Sequence, residues 1–123
     1  MLRILFSVLS LFMFLPSYAG ELEDALKANS KVFLYVYTKE CGYCVKFNPI
    51  YDSVSKKYAK DCKFVKINAA TPYGQNIMRM YNGVFVPYLL MFDTKKNQVA
   101  YLQPNCFLNL ACVNNAVDVW IHR

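Results

Sequence analysis

Three features are absent from this sequence of 123 residues: a low-complexity tract, an internal repeat, and a block of charges of one sign. Hydrophobic residues make up 56% of the chain and aromatic residues 16%, so the composition excludes an intrinsically disordered protein. The formal net charge is +6, but the lysines are spread along the chain. Because nucleic-acid-binding proteins cluster their basic residues, we expect this charge to provide solubility and weak electrostatic steering, with no nucleic-acid partner.

Histidine is also nearly absent, since the chain has only His122. A structural zinc site needs two pairs of cysteine or histidine ligands at short spacing. Cys41 and Cys44 could supply one pair, but the other cysteines stand at no such spacing, and His122 is most simply explained as a solvated helix end. We therefore expect no metal site and no cofactor.

The N-terminal apolar run is too short for a transmembrane helix. It covers residues 4–15, whereas a helix that spans a bilayer needs about 20 apolar residues. Arg3 precedes the run and a small-residue pattern ending at Ala19 follows it, which is the layout of a secretory signal peptide. We predict a signal peptide over residues 1–19 and one domain over residues 20–123, periplasmic or otherwise exported and with no stable membrane insertion after cleavage. An uncleaved anchor is the alternative.

The pattern of apolar residues predicts an α/β domain. Short β-branched and aromatic runs are typical of buried strands, and three- and four-residue spacings are typical of amphipathic helices. Pro49 interrupts the second helix, Thr71 caps the third helix and Gly83 ends it. The predicted elements are a helix ending near residue 29, a strand over 31–38, a helix over 41–60, a strand over 63–68, a helix over 72–82, strands over 87–92 and 98–103, and a helix over 107–121. The predicted inward residues of the last helix are Leu110, Val113, Val117 and Trp120.

Four features, in order along the chain, resemble the thioredoxin superfamily. A strand leads into CGYC at a helix start, Pro49 stands eight residues after Cys41, KFVKIN forms the next core strand, and YNGVFVPYLLMF contains Val86 and Pro87. The resemblance implies a thioredoxin-like fold with a central mixed four-stranded sheet flanked by helices. It also implies that Cys41 is exposed at the helix N-terminus, that Cys44 lies partly buried behind it, and that the Val86–Pro87 bond is cis.

The cysteine pair can exchange disulfides if one sulfur is available as a thiolate. Free N–H groups and the positive end of the helix dipole lower the pKa of a thiol at a helix start, so we expect Cys41 to attack and Cys44 to resolve. Gly42 would let a partner chain approach closely, and Tyr43 would offer an aromatic face and a hydroxyl. A cis bond before Pro87 would turn the backbone groups of the preceding residue outward, where an extended substrate could pair with them.

The sequence departs from the thioredoxin pattern at positions that tune this chemistry. Tyr35 stands where cytosolic thioredoxins usually have a buried aspartate that moves a proton from the second cysteine. Lys66 resembles the lysine that pairs with that aspartate, so we expect both Tyr35 and Lys66 near the back of Cys44. Glu40 replaces the usual tryptophan, and its like charge should raise the pKa of Cys41.

The other three cysteines leave an odd count of five. We expect Cys62 to be a small buried hydrophobic residue. Cys106 and Cys112 flank FLNLA, and the sequence leaves open whether they form a structural disulfide.

The predicted function is exchange of disulfides with exported proteins through Cys41 and Cys44, by a monomer that also meets a redox partner protein. One alternative is an isomerase-like shuffler that uses the same cysteines. Another is a binding or chaperone-like module that exposes an aromatic surface around Tyr43, Phe85 and Tyr88. The direction of electron flow is not set by the motif, since CxxC proteins span about 150 mV in reduction potential.

Overall fold

Four strands form one mixed sheet in the computed structural model, which describes residues 20–123. The predicted signal peptide and its cleavage after Ala19 lie outside the described residues. In residues 20–123 no helix combines the length and apolar character needed to cross a membrane. In chain order the elements are α1 (Glu21–Ala28), β1 (Lys31–Tyr37), α2 (Gly42–Lys57), β2 (Lys63–Asn68), α3 (Pro72–Met80), β3 (Tyr88–Asp93), β4 (Gln98–Tyr101) and α4 (Leu110–Ile121).

Strand β1 lies inside the sheet, whose strand order is β2-β1-β3-β4. It pairs in parallel with β2 and antiparallel with β3, and β3 pairs antiparallel with β4. Because successive side chains of a strand point to opposite faces, Phe33 and Tyr35 pack with residues of α2 and α4. Val32, Leu34 and Val36 pack on the other face with residues of α1 and α3. The predicted thioredoxin-like mixed sheet flanked by helices is therefore confirmed.

The start of α4 differs from the prediction. The helix begins at Leu110, three residues later than expected, because the Asn109 side chain accepts a hydrogen bond from the Cys112 N–H at 3.0 Å and caps it. Residues 104–108 form turns instead. Leu110, which was predicted to point inward, is exposed in the first turn, whereas Val113, Val117 and Trp120 are buried.

The end of α3 also differs in detail. Thr71 caps the helix as predicted, with its hydroxyl accepting from the Gly74 N–H at 3.0 Å. The helix ends at Met80, and the left-handed residue after it is Asn82, with φ of 58°, rather than Gly83. The N–H of Gly83 bonds the Met78 carbonyl at 2.7 Å, which completes a Schellman motif. Asparagine tolerates this backbone conformation better than most residues. Asn82, one residue before the glycine, therefore takes the left-handed position that ends the helix.

A buried ion pair ties the sheet to α4. The Asp93 side chain lies 3.1 Å from Lys31 Nζ, and the same ammonium donates to the Trp120 carbonyl. Burial alone would raise the pKa of Asp93, but hydrogen bonds from Lys31 and from the Lys96 N–H, with the charges of both lysines, lower it below its ordinary value. The charged carboxylate is therefore the form that the fold stabilises.

We expect Asp93→Asn to lower the melting temperature at pH 7, because it removes one partner of this pair. A carboxyl group with a lowered folded-state pKa contributes stability above its unfolded value of 3.8, and that contribution is lost as the pH falls through the folded value. The difference in melting temperature between Asp93→Asn and the parent protein should therefore disappear at acidic pH. Thermal unfolding measured from pH 2 to pH 7, with the exposed Asp61→Asn as control, tests this, and a difference that stays constant across the range would contradict it.

Candidate active site

Cys41 and Cys44 lie at the start of α2, shortly after the end of β1. Strand β1 ends at Tyr37, and Cys41 is the N-cap residue of α2. Cys41 is partly exposed, whereas Cys44, one turn into the helix, is 1% exposed. The two form a disulfide with a Cα–Cα distance of 5.1 Å. Cys41 is therefore the more exposed residue of the pair.

Two backbone groups surround the Cys41 sulfur. The Cys44 N–H donates to Cys41 Sγ at 3.1 Å, so a free donor of the first helical turn points at this sulfur. On the other side, the carbonyl oxygen of Val86 lies 3.5 Å from the same sulfur. The register pairs Val36 of β1 with Tyr88 of β3, which brings the residues before β3 next to those after β1. The Val86–Pro87 peptide bond in this segment is cis.

Tyr35 lies behind Cys44 and is fully buried. Its hydroxyl lies 2.8 Å from Asn48 Oδ1 and 3.1 Å from the Cys44 carbonyl oxygen, so its proton is donated to the first turns of α2. Burial raises the pKa of Tyr35, and the nearby Tyr37 and Asp52 raise it further. A hydroxyl with a raised pKa remains protonated and acts as a donor. It therefore does not replace the carboxylate that accepts a proton in cytosolic thioredoxins.

Asn48, which accepts the Tyr35 hydrogen bond, is not among the predicted site residues. One signal was available, because Asn48 stands four residues after Cys44 and therefore on the same face of α2. That spacing does not reveal which strand residue the amide meets, so the partner could not be predicted.

Lys66 and Tyr35 share one face of the sheet. They are paired in the register of β1 and β2, and the Lys66 ammonium lies 5.5 Å from the centre of the Tyr35 ring. The same ammonium is 4.7 Å from the Tyr37 ring and 5.9 Å from the Tyr51 ring. Within the part of the chain that the structure describes, Lys66 forms no ion pair. Three aromatic faces rather than a carboxylate are its neighbours, and such faces attract cations.

The residues between and before the cysteines face solvent. Tyr43 is 59% exposed, and its ring meets Phe107 edge-on at a centroid distance of 6.2 Å. A side chain at Gly42 would meet no atom within 4 Å, so the space in front of it is open to a partner chain. Glu40 is exposed in the turn that precedes Cys41. These placements leave the front of the disulfide accessible.

An apolar groove of about 250 Å³ runs beside this site. Its lining includes Phe85, Pro87, Tyr101, Pro104 and Phe107. Tyr88, which was predicted to belong to an exposed aromatic surface, also lines the groove but is only 9% exposed. As the first residue of β3 it packs inward, and its hydroxyl donates to the Tyr81 carbonyl at 2.6 Å.

The remaining cysteines do not join the site. Cys106 and Cys112 form a second disulfide with a Cα–Cα distance of 5.4 Å, which settles the open pairing. Cys62 is a buried free thiol, as expected, and burial raises its pKa to about 12. Among residues 20–123, no group of three or more His, Cys, Asp or Glu side chains is placed to hold a metal ion.

A mixed sheet between two helical layers, with a CxxC disulfide at the start of a helix and a cis-proline beside it, defines a protein of the thioredoxin class. The family model described as Thioredoxin matches residues 16–108, and the chain belongs to this family. A comparison with curated proteins gave no significant match.

Solved structures with the same fold include thioredoxins of two organisms. A mutant thioredoxin from Halobacterium salinarum NRC-1 has a TM-score of 0.66 at 19% identity, with 82% of this chain and 83% of that chain covered. Oxidised thioredoxin from Plasmodium falciparum has a TM-score of 0.64 at 16% identity, with coverage of 84% and 92%. The J-Trx1 fragment of ERdj5 has a TM-score of 0.68 at 14% identity, and the match covers 82% of this chain but 46% of that fragment. At these identities the likeness establishes the fold alone.

We expect Tyr35→Phe to lower the free energy of unfolding by about 1–2 kcal/mol, because it leaves the acceptors on α2 without their buried donor. Urea unfolding of the oxidised protein measures this. Tyr37→Phe, which removes a hydroxyl from the neighbouring half-buried ring, is the matched control and should cost less. Equal stability of Tyr35→Phe and the parent protein would show that this hydroxyl does not anchor α2.

Proposed function

We propose that this thioredoxin-family domain is a thiol-disulfide oxidoreductase that exchanges disulfides with exported proteins, with Cys41 as the nucleophile and Cys44 as the resolving residue. The family and the CxxC pair support the oxidoreductase class. One observation carries the assignment of roles: the partly exposed Cys41 sulfur caps α2 and accepts the Cys44 N–H, whereas Cys44 is buried. An incoming sulfur reaches Cys41 first.

In the reducing direction, the Cys41 thiolate attacks a substrate disulfide, forms a mixed disulfide and releases one substrate thiolate. The Cys44 thiolate then attacks Cys41 Sγ, which closes the Cys41–Cys44 disulfide and releases the second substrate thiolate. Two electrons pass from the protein to the substrate, and the released thiolates take up protons from water. Oxidation of a substrate dithiol is the same sequence in reverse, and a redox partner protein restores the starting state.

The surroundings of Cys41 fit a polypeptide substrate. The Val86 carbonyl lies 3.5 Å from the reacting sulfur, where it can accept a backbone N–H from an extended chain. The apolar groove that Pro87 helps to line offers room for a substrate side chain next to the reacting cysteine of the substrate. We therefore assign Val86 and Pro87 to substrate binding.

Export is part of the proposal. The signal-peptide pattern of residues 1–19 supports it, and so does the second disulfide, because structural disulfides persist in oxidising compartments such as the periplasm. An isomerase-like shuffler would use the same Cys41 chemistry. It would differ in rearranging scrambled disulfides without net transfer of electrons.

A binding module is the second candidate function, and one observation favours it. Val84, Phe85 and Tyr43 expose large apolar side chains next to the disulfide, as a surface that holds an unfolded chain would. If the Cys41–Cys44 disulfide proves inert to dithiols and the protein still suppresses aggregation of an unfolded client, this candidate replaces the oxidoreductase.

We predict that Cys41 in the reduced protein has a pKa below the free-cysteine value of about 8.5, and that Cys44 titrates higher and is alkylated more slowly. Helix donors act on a fixed sulfur at contact distance, whereas the exposed Glu40 carboxylate is screened by solvent. Glu40→Gln should therefore lower the Cys41 pKa only a little further. Iodoacetamide alkylation of each cysteine against pH measures this. Identical profiles for Cys41 and Cys44 would remove the assignment of roles.

We predict that Cys44→Ala accumulates mixed disulfides between Cys41 and its substrates, because the resolving thiol is missing. The variant would be expressed with its N-terminal segment in a bacterial host, and its adducts would be identified by mass spectrometry of the periplasmic fraction. Insulin reduction by the parent protein, and its loss in Cys41→Ser with the fold unchanged, is the matched assay. Adducts that form equally on Cys41→Ser would count against this mechanism.

A further inference from the structure

The second disulfide closes the loop that carries Phe107. Cys106 is buried and precedes Phe107 directly, and Cys112 lies exposed in the first turn of α4. The link therefore fastens the backbone next to Phe107 to the start of a helix. This helix is itself fixed at that point by the Asn109 cap.

Phe107 reaches from this loop to the first turn of α2. Its ring meets the Tyr43 ring edge-on at 6.2 Å and the Phe47 ring edge-on at 6.1 Å. Tyr43 stands between the two reactive cysteines, and Phe47 follows it one turn later on α2. The Phe107 ring thus contacts two successive turns at the end of the helix that carries the disulfide.

These contacts matter most when the Cys41–Cys44 disulfide is open. In the oxidised protein a covalent link holds the first turn of α2 closed. In the reduced protein that link is gone, and helix ends fray when little holds them. The Cys44 N–H, which donates to Cys41 Sγ, belongs to this turn, so fraying would withdraw a donor that stabilises the thiolate.

We propose that Phe107, held in place by the Cys106–Cys112 disulfide, is a positioning residue that keeps the first turn of α2 formed in the reduced protein and so keeps Cys41 reactive. The inference rests on the proposed function, because it assigns a role toward the Cys41 thiolate. The phenyl ring of Phe107 has no group that donates a hydrogen bond to the sulfur. It acts through Tyr43 and Phe47.

Three variants separate this role from a contribution to stability alone. Phe107→Ala removes the ring, Phe107→Leu keeps an apolar side chain of similar size, and Cys106→Ser with Cys112→Ser keeps the ring but releases the loop. Leu108→Ala, at the exposed neighbouring position, is the control. The double serine variant also covers the case in which Phe107→Ala does not fold.

The measurement is the pH profile of Cys41 alkylation by iodoacetamide after reduction with a dithiol. In the proteins that keep Cys106 and Cys112, mass spectrometry of the peptides confirms that this disulfide is still closed. We expect the midpoint to rise by about half to one pH unit in Phe107→Ala and in the double serine variant, with alkylation at pH 7 about three- to tenfold slower. Phe107→Leu should recover part of this loss, and Leu108→Ala should match the parent protein.

The alkylation midpoints test the nucleophile assignment of Cys41 and the role of Phe107 separately. A parent Cys41 midpoint at or above about 8.5 would overturn the nucleophile assignment itself. A low parent midpoint that is unchanged in Phe107→Ala and in the double serine variant would overturn only the role of Phe107. A lower free energy of unfolding with an unchanged midpoint would likewise show that the ring and its disulfide are merely structural.

Discussion

Strand β1 lies between two strands and beneath helices on both faces, so each side chain from Val32 to Val36 has to fill one of two cores. Burial of a large apolar side chain contributes about 1.5–3 kcal/mol, and a one-residue slip would exchange the two sets of side chains. The register of β1 with β3 is therefore strongly fixed. That register, with Val36 opposite Tyr88, decides that Cys41 meets the Val86 carbonyl, so the geometry of the disulfide site depends on how β1 packs.

Within residues 20–123, no buried carboxylate lies behind Cys44. The Tyr35 hydroxyl donates its hydrogen bond to α2, and the Lys66 ammonium lies among three tyrosine rings. A cation over aromatic faces is stabilised without a counter-charge, so the lysine can lie next to the core where the thioredoxin pattern has an ion pair. With no carboxylate at position 35, the proposed mechanism assigns no buried proton acceptor to Cys44.

The elements of this fold were largely predictable because their signals are local. KFVKIN predicts β2 with its observed bounds, and the helix predicted over residues 41–60 is observed over Gly42–Lys57 with Cys41 as its N-cap. Two of the errors have causes within the elements themselves. Asn109 caps α4 through the Cys112 N–H three residues away, a local signal that competes with the apolar pattern, and Tyr88 packs inward because β3 is buried along its whole length. The contact of Phe107 with Tyr43 joins residues 64 positions apart, and no local pattern encodes it.

Both disulfides close short loops, with sequence separations of three and six residues. In the chain-entropy description, a cross-link stabilises a protein by restricting the unfolded chain, and loops this short restrict it by only about 2 kcal/mol each. Small domains have about 5–15 kcal/mol of stability in total. Opening the Cys41–Cys44 link therefore leaves more than half of this stability in place. The same fold can persist with that link open or closed, so exchange need not be accompanied by unfolding.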